Sequence, residues 1–267
     1  MDTFGQEAFL RAIRSALGHS IQNRRSRDEL CSNEFTAAIG KLLDRIKNRS
    51  REERYRLLER LIEAAKPINL KILPLKDPPA VSAAVAGFVE KKAPEWGNRK
   101  SVVAWKHPLI ERLDLTAALA DYQVPVYFTA LEAAGPEATS AQKKRDRLRR
   151  QIVDSYIGVT SADFCMADTA TLVMRTRPNQ ARSVSLVPSI HIAVITLDQI
   201  IADLKELYAL LRWDQEARKE ELTNCMTFIC GPSKTADVEA TMVHGAHGPR
   251  EVYIYVITTE GTQLRGT

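Results

Sequence analysis

Asn69-Leu70-Lys71-Ile72-Leu73-Pro74-Leu75, then Ala80 to Glu90, then Ser101-Val102-Val103-Ala104-Trp105, then Pro108 to Asp121 and Val124 to Thr129, is the stretch that decides the fold. The first, third and fifth pieces are apolar runs of strand length. The second and fourth carry apolar residues at helical spacing. Strand, helix, strand, helix, strand in about sixty residues is a βαβ rhythm. It predicts a mainly parallel sheet with helices on both faces, because parallel neighbours need a crossover long enough to hold a helix.

The pattern differs on either side. Towards the N-terminus, Thr3 to Ile21 places Leu10, Ile13, Leu17 and Ile21 on one helical face. A longer helical block runs from Asn33 to Ala65, with a break expected at Asn48 to Arg51. Residues 1–66 therefore read as a helical extension and residues 67–267 as the α/β domain. Beyond Thr129, Leu148, Ile152 and Tyr156 mark a helix that bears the basic run 143–150. Gly158 to Thr176 reads as extended chain on either side of Ala167-Asp168-Thr169-Ala170-Thr171. With Ser183 to Val187 and Ile190 to Ile195 as further short strands, this suggests an antiparallel ribbon attached to the sheet. A helix from Leu197 to Ala217 and strands at Met226 to Cys230 and Val252 to Ile257 complete the chain.

Composition narrows the class. The 267 residues are 45% hydrophobic and 27% charged, ordinary for a globular protein and unlike a disordered chain. No apolar run reaches membrane-span length. Glu7, Arg11 and Arg14 interrupt the apolar pattern a secretory signal needs, so the expectation is a cytoplasmic protein. Cys31, Cys165, Cys225 and Cys230 match neither a CxxC motif nor a cluster-binding run, so no intrinsic cofactor is expected and the thiols read as buried and inert. The net charge of +5 is concentrated in Lys143-Lys144-Arg145-Asp146-Arg147-Leu148-Arg149-Arg150, read as the solvated side of a helix; nucleic-acid binding is not expected.

Two late bends hold the densest polar chemistry. Gly231-Pro232-Ser233-Lys234-Thr235-Ala236-Asp237-Val238-Glu239 follows a strand. It reads as a loop in which Gly231 takes an unusual dihedral and Ser233 or Thr235 caps a short helix, leaving amides to meet an anion. Gly245-Ala246-His247-Gly248-Pro249-Arg250-Glu251 precedes the last strand, and His247 suits acid/base work or substrate hydrogen bonding. His244 and His247 are three apart, but the flanking glycines argue for a loop, and no metal is expected. Asp168, Thr169 and Thr171 need partners wherever they are buried, so they read as a turn network or a ligand site. His191 is open to two readings, a histidine satisfied in the core or a ligand contact.

Five segments in order resemble the LUD domain family: Gly158-Val159-Thr160-x-Ala162-Asp163, Ala167-Asp168-Thr169-x-Thr171-Leu172, Leu186-Val187-Pro188-x-x-His191, the Gly231 to Glu239 loop and Gly245 to Glu251. The resemblance implies a fold like that of the sugar-phosphate isomerase and CoA-transferase superfamily, with ligands at loops beyond strand ends. It implies a role in bacterial oxidation of L-lactate to pyruvate beside partner proteins that carry the iron–sulfur clusters. This chain would then bind a small anion through Gly231, Ser233, Lys234, Thr235, Asp168, Thr169, Thr171, His191 and Arg250. Candidates for chemistry are His247, Asp237 and Glu239. The alternative is a free-standing CoA-transferase-like or sugar-phosphate enzyme with Glu239 or Asp237 as nucleophile or base. The family usually has glycine where this chain has Ala170, and arginine is common where it has Lys234.

Overall fold

The computed structural model describes residues 35–95, 97–130, 138–214, 225–236, 242–245 and 247–259, with Phe9 and Ala12 besides. Phe9 and Ala12 are helical; the rest of the helix expected over Thr3 to Ile21 lies outside the described residues. Contacts group residues 1–40 as one unit and 41–267 as another.

The expected βαβ rhythm is present. Strand β1 (Lys71–Leu75), helix α3 (Pro78–Lys91), β2 (Val102–Ala104) and β3 (Val126–Phe128) follow helices α1 (Ala37–Lys47) and α2 (Arg51–Ala65). Between β2 and β3 the helix expected over Pro108 to Asp121 is two short ones, α4 (Pro108–Glu111) and α5 (Leu115–Ala118). Asp114, in left-handed conformation, breaks them and caps the second through Ala117 N–H. The break foreseen at Asn48 to Arg51 is a capping box, in which Ser50 Oγ accepts from Glu53 N–H and Ser50 N–H donates to the Glu53 carboxylate. Such a cap is worth about 1 kcal/mol.

After the basic helix α6 (Ala138–Asp154) come β4 (Ile157–Thr160), β5 (Phe164–Met166), β6 (Thr171–Arg175), β7 (Ile190–Thr196) and β8 (Ile200–Ile201). Helix α7 (Leu204–Trp213), β9 (Met226–Ile229), β10 (Lys234–Ala236), β11 (Met242–His244) and β12 (Glu251–Ile257) complete the described elements. Six strands form an all-parallel sheet in the order β1-β12-β7-β4-β2-β3. The antiparallel ribbon exists as a mixed four-stranded sheet, β8-β5-β6-β9.

Three expectations are corrected. Ile190 to Ile195 is a fully buried central strand of the parallel sheet, not part of the ribbon, as its run, apolar but for His191, permits. Ser183 to Val187 is a 3-10 turn over Arg182–Ser185 rather than a strand. The helix expected from Leu197 starts at Leu204, because Leu197–Gln199 is a 3-10 turn and Ile200–Ile201 pairs with β5.

Alternation along the strands loads both faces of the parallel sheet. One face presents Val103, Ala193, Ile195, Ile254 and Val256 to Leu58 and Leu61 of α2, Ile152 of α6, and Cys165, Leu172 and Met174 of the mixed sheet. The other presents Val102, Ile157, Ile192, Val194 and Tyr255 to Val81, Val85 and Val89 of α3 and to Leu109, Ile110, Leu115 and Leu119. Gly158 belongs to the first face for a steric reason: a Cβ there would lie 1.9 Å from the Val184 carbonyl oxygen. Among the described residues no helix is long and apolar enough to cross a membrane.

Candidate functional site

Because all six strands run the same way, the sheet has an amino rim, which chains enter, and a carboxyl rim, which they leave. The two late bends meet at the amino rim. Gly231 turns with φ +77° against the Ile68 carbonyl, and Pro232 is buried beneath it. Ser233 then makes three bonds to the second bend: its N–H donates to Pro249 O (2.8 Å), its carbonyl accepts from Gly245 N–H (3.0 Å), and its Oγ accepts from His247 N–H (3.3 Å). Gly245, at φ +84°, lies over the Arg250 stem, where a Cβ would fall 2.1 Å from Arg250 Cγ. Arg250 N–H reaches Ser189 O (2.8 Å), and its guanidinium pairs with Glu95 (2.5 Å). Lys234 Nζ donates to Ile68 O (3.1 Å).

The clasp is thus made largely of backbone, and among the described residues no helix follows Pro232. Residues Lys234–Ala236 form β10, paired antiparallel with β11, so Thr235 sits opposite Val243 and no helix end faces an anion. Asp237 and Glu239 lie outside the described residues. Beside the clasp, Glu251 bonds to Lys92 and Tyr253. Burial raises the Glu251 carboxyl, but those hydrogen bonds and the charges of Lys92 and Lys71 outweigh it and hold it below the ordinary carboxylate range.

The Asp168 to Thr171 turn joins β5 to β6 and reaches the same region through Cys230, whose thiol donates to Thr169 O (3.4 Å). Thr169 Oγ1 donates to Asp168 Oδ1 and Thr171 Oγ1 to Thr169 O, a local network. Ala170 at its tip is fully buried and left-handed, φ +48°. His191 stands apart in β7, fully buried, with Nε2 2.7 Å from Thr160 Oγ1. Burial pushes its pKa down to about 3, so it is neutral at pH 7. Of the thiols read as buried, Cys165 is; Cys225 is half-buried and Cys230 exposed, since both flank the edge strand β9.

The carboxyl rim gathers residues that the sequence reading passed over. From β2 the chain goes outward to β3, and from β4 it goes the other way to β7, so the crevice between β2 and β4 is the topological switch point of the sheet. Ligands of open α/β sheets bind beyond the carboxyl ends at such points. Lys106 and His107 leave β2 there; Ser161 and Asp163 leave β4. Asp163, nearly buried, accepts from Arg175 N–H (2.6 Å) and Nε (3.0 Å), and its carboxylate pairs with Arg177 Nη2 (2.6 Å). His107 Nδ1 accepts from Leu109 N–H (3.1 Å). Burial, then the Arg177 charge, lower its pKa against the opposing pull of Asp163 and Glu111. The loop 176–182 crosses this rim, tied by Trp105 Nε1 to Ala181 O (2.9 Å) and by Thr129 Oγ1 to Asn179 O. Ser161 Oγ is fully buried and has no hydrogen-bond partner among the described residues. The available signal was placement: Lys106-His107 and Ser161-x-Asp163 each follow a recognisable strand.

Among the described residues no three His, Cys, Asp or Glu side chains are grouped to hold a metal ion. Comparison with known proteins adds identity. The chain is 32% identical over 160 residues to lactate utilization protein C of Halalkalibacterium halodurans, covering 60% of this chain and 64% of that protein, so less than two thirds of that relative is spanned. It is 26% identical over 181 residues to lactate utilization protein C of Geobacillus kaustophilus, covering 66% and 70%. A crystal structure of a DUF162 family protein from Deinococcus radiodurans superposes with a TM-score of 0.47 at 17% identity, covering 76% of this chain and 98% of that one. The LUD domain profile matches residues 58–257, from the middle of α2 to the end of β12. The chain belongs to the LUD domain family.

Proposed function

We propose that this protein is a cytoplasmic subunit of a lactate utilization system, working beside iron–sulfur partner proteins in the oxidation of L-lactate to pyruvate, and that it binds a small carboxylate rather than carrying the redox centre. The observation that carries this reading is the similarity to proteins named lactate utilization protein C. For the ligand, the switch-point crevice is the favoured place. The buried Ser161 hydroxyl lacks a partner among the described residues, and such a group costs about 1–3 kcal/mol, a cost that a carboxylate oxygen accepting from it would offset. Arg175 and Arg177 share the single Asp163 carboxylate, which leaves one net positive charge at the same rim, while Lys106 is paired with Glu111. Neutral His107 adds no charge there and keeps its ring in hydrogen-bonding form.

The amino-rim clasp is the second reading, favoured by one observation: the two late bends are hydrogen-bonded to each other there and bring Ser233, Lys234, His247 and Arg250 into one region. Titration calorimetry with L-lactate and pyruvate separates the two. Ser161→Ala is expected to weaken binding at least tenfold and Ser233→Ala less than twofold. The reverse ranking would move the ligand to the amino rim. Reconstitution tests the role itself: lactate oxidation is expected only from the assembled set, and full turnover by this chain alone would overturn it.

A further inference from the structure

The most concentrated charge in the molecule lies in neither rim. Helix α6 carries six Lys or Arg and two Asp side chains, a net of four positive charges in a chain whose total is +5. Only a narrow edge of it is committed to the fold, since Ile152 is buried and Leu148 packs against the core. On the solvent side, Lys143, Arg147 and Arg150 follow one another at i, i+4 and i+7, and all three are exposed. Residues at this spacing share a helix face, and like charges there repel. The fold gains nothing from stacking them, and a strip of cations on one face is the complement of an acidic surface.

We propose that the Lys143, Arg147 and Arg150 strip of α6 docks an acidic face of a partner protein, the iron–sulfur subunit of the lactate system; the identity of that partner rests on the function proposed above. One observation favours protein over nucleic acid: α6 contains no aromatic side chain for base stacking. A second copy of this chain is a poor occupant, because its own α6 is equally cationic.

The experiment measures binding of the full chain to the purified iron–sulfur partner between 50 and 300 mM salt (roughly one Debye length of change). It compares wild type, the triple variant Lys143→Gln, Arg147→Gln, Arg150→Gln, and a control of equal net charge, Arg60→Gln, Lys91→Gln, Arg112→Gln, altered at exposed positions elsewhere. The α6 variant is expected to bind at least tenfold more weakly with a flatter salt dependence and an unlowered melting temperature; the control should change less than twofold. If wild type and the α6 variant bind alike, the docking face is overturned and the lactate role stands. If wild type does not bind the partner at all, both fail. A duplex or single-stranded DNA probe that binds tightly and is lost only in the α6 variant overturns the protein-docking assignment in favour of nucleic acid.

Discussion

The two rims of the parallel sheet are held by different forces. At the amino rim, Ser233 exchanges backbone hydrogen bonds with Pro249 and Gly245, and two glycines at positive φ let the bends approach. At the carboxyl rim, one nearly buried carboxylate, Asp163, gathers Arg175 and Arg177, and side chains such as Trp105 and Thr129 tie down the covering loop. Backbone clasps resist substitution of side chains but not of glycine. Charge clusters behave in the opposite way, since removing one member strands the others away from water. The carboxyl rim therefore depends on paired, nearly buried charge, and the amino rim on backbone geometry with its ion pairs more exposed.

The largest expected difference between the rims follows directly. Asp163→Ala leaves two guanidinium groups without their shared carboxylate in a nearly buried site, and should lower stability by about 3–5 kcal/mol. Ser233→Ala removes only the Oγ contact to His247 N–H and should cost about 1 kcal/mol. Urea denaturation of both variants checks the ratio; equal losses would mean that the carboxyl rim is no more dependent on charge than the clasp.

Acid sensitivity is a second measure, because the described histidines whose pKa is lowered differ in place: His107 leaves β2 at the carboxyl rim, whereas His191 is the second residue of β7, inside the sheet. His191 in the unfolded chain takes up a proton below about pH 6.5, whereas in the fold it resists protonation down to about 3. The unfolded state therefore binds more protons in that window. The contribution of His191 is complete above pH 6.5 and is lost as pH falls, at about 1.4 kcal/mol per unit. His107, lowered by burial and then by Arg177, acts in the same direction. His191→Gln should be less stable at pH 7 but lose less on going to pH 4.5. Urea midpoints at four pH values give the two slopes, and parallel slopes would mean that His191 is protonated in the fold.

How much of this was legible beforehand varies with the physics behind each feature. The βαβ core was, because strands buried on both faces are mostly apolar, as β12 and β7 are apart from Glu251, His191 and Thr196. That the two late segments bend was legible from their glycines and prolines; that they meet was not, because the contacts of Ser233 with Gly245 and Pro249 join stretches more than ten residues apart. The β10–β11 hairpin was not: Lys234-Thr235-Ala236 has no strand pattern and takes its conformation from pairing with Met242–His244, a non-local contact. Nor was the carboxyl-rim cluster, since Asp163 and Arg177 are ordinary charged residues until the fold of β5 back onto β6 sets them 2.6 Å apart.

A smaller effect probes the clasp through its glycines. Gly245→Ala puts a Cβ 2.1 Å from Arg250 Cγ at φ +84°, so the Arg250 stem must move and the Glu95 pair loosen. The expected loss is about 1–3 kcal/mol. Combined with Arg250→Ala, which removes the obstructing stem, the added cost of Gly245→Ala should fall to about 1 kcal/mol, the dihedral share alone. Strict additivity in this double-mutant cycle would mean that Arg250 is not what the clash meets.

The smallest effect concerns a buried residue at a strained dihedral. Ala170 occupies φ +48°, and an L-residue there carries about 1–2 kcal/mol of strain. Ala170→Gly relieves that strain but removes a buried methyl worth about 0.8 kcal/mol and frees the unfolded chain by a further 0.4–1 kcal/mol or about that. The terms nearly cancel, so the variant should stay within about 1 kcal/mol of wild type, far from the cost of Gly245→Ala. A loss above about 2 kcal/mol would show that the methyl is a packing element of the Asp168 to Thr171 turn, so that alanine there is a core substitution rather than a tolerated strain.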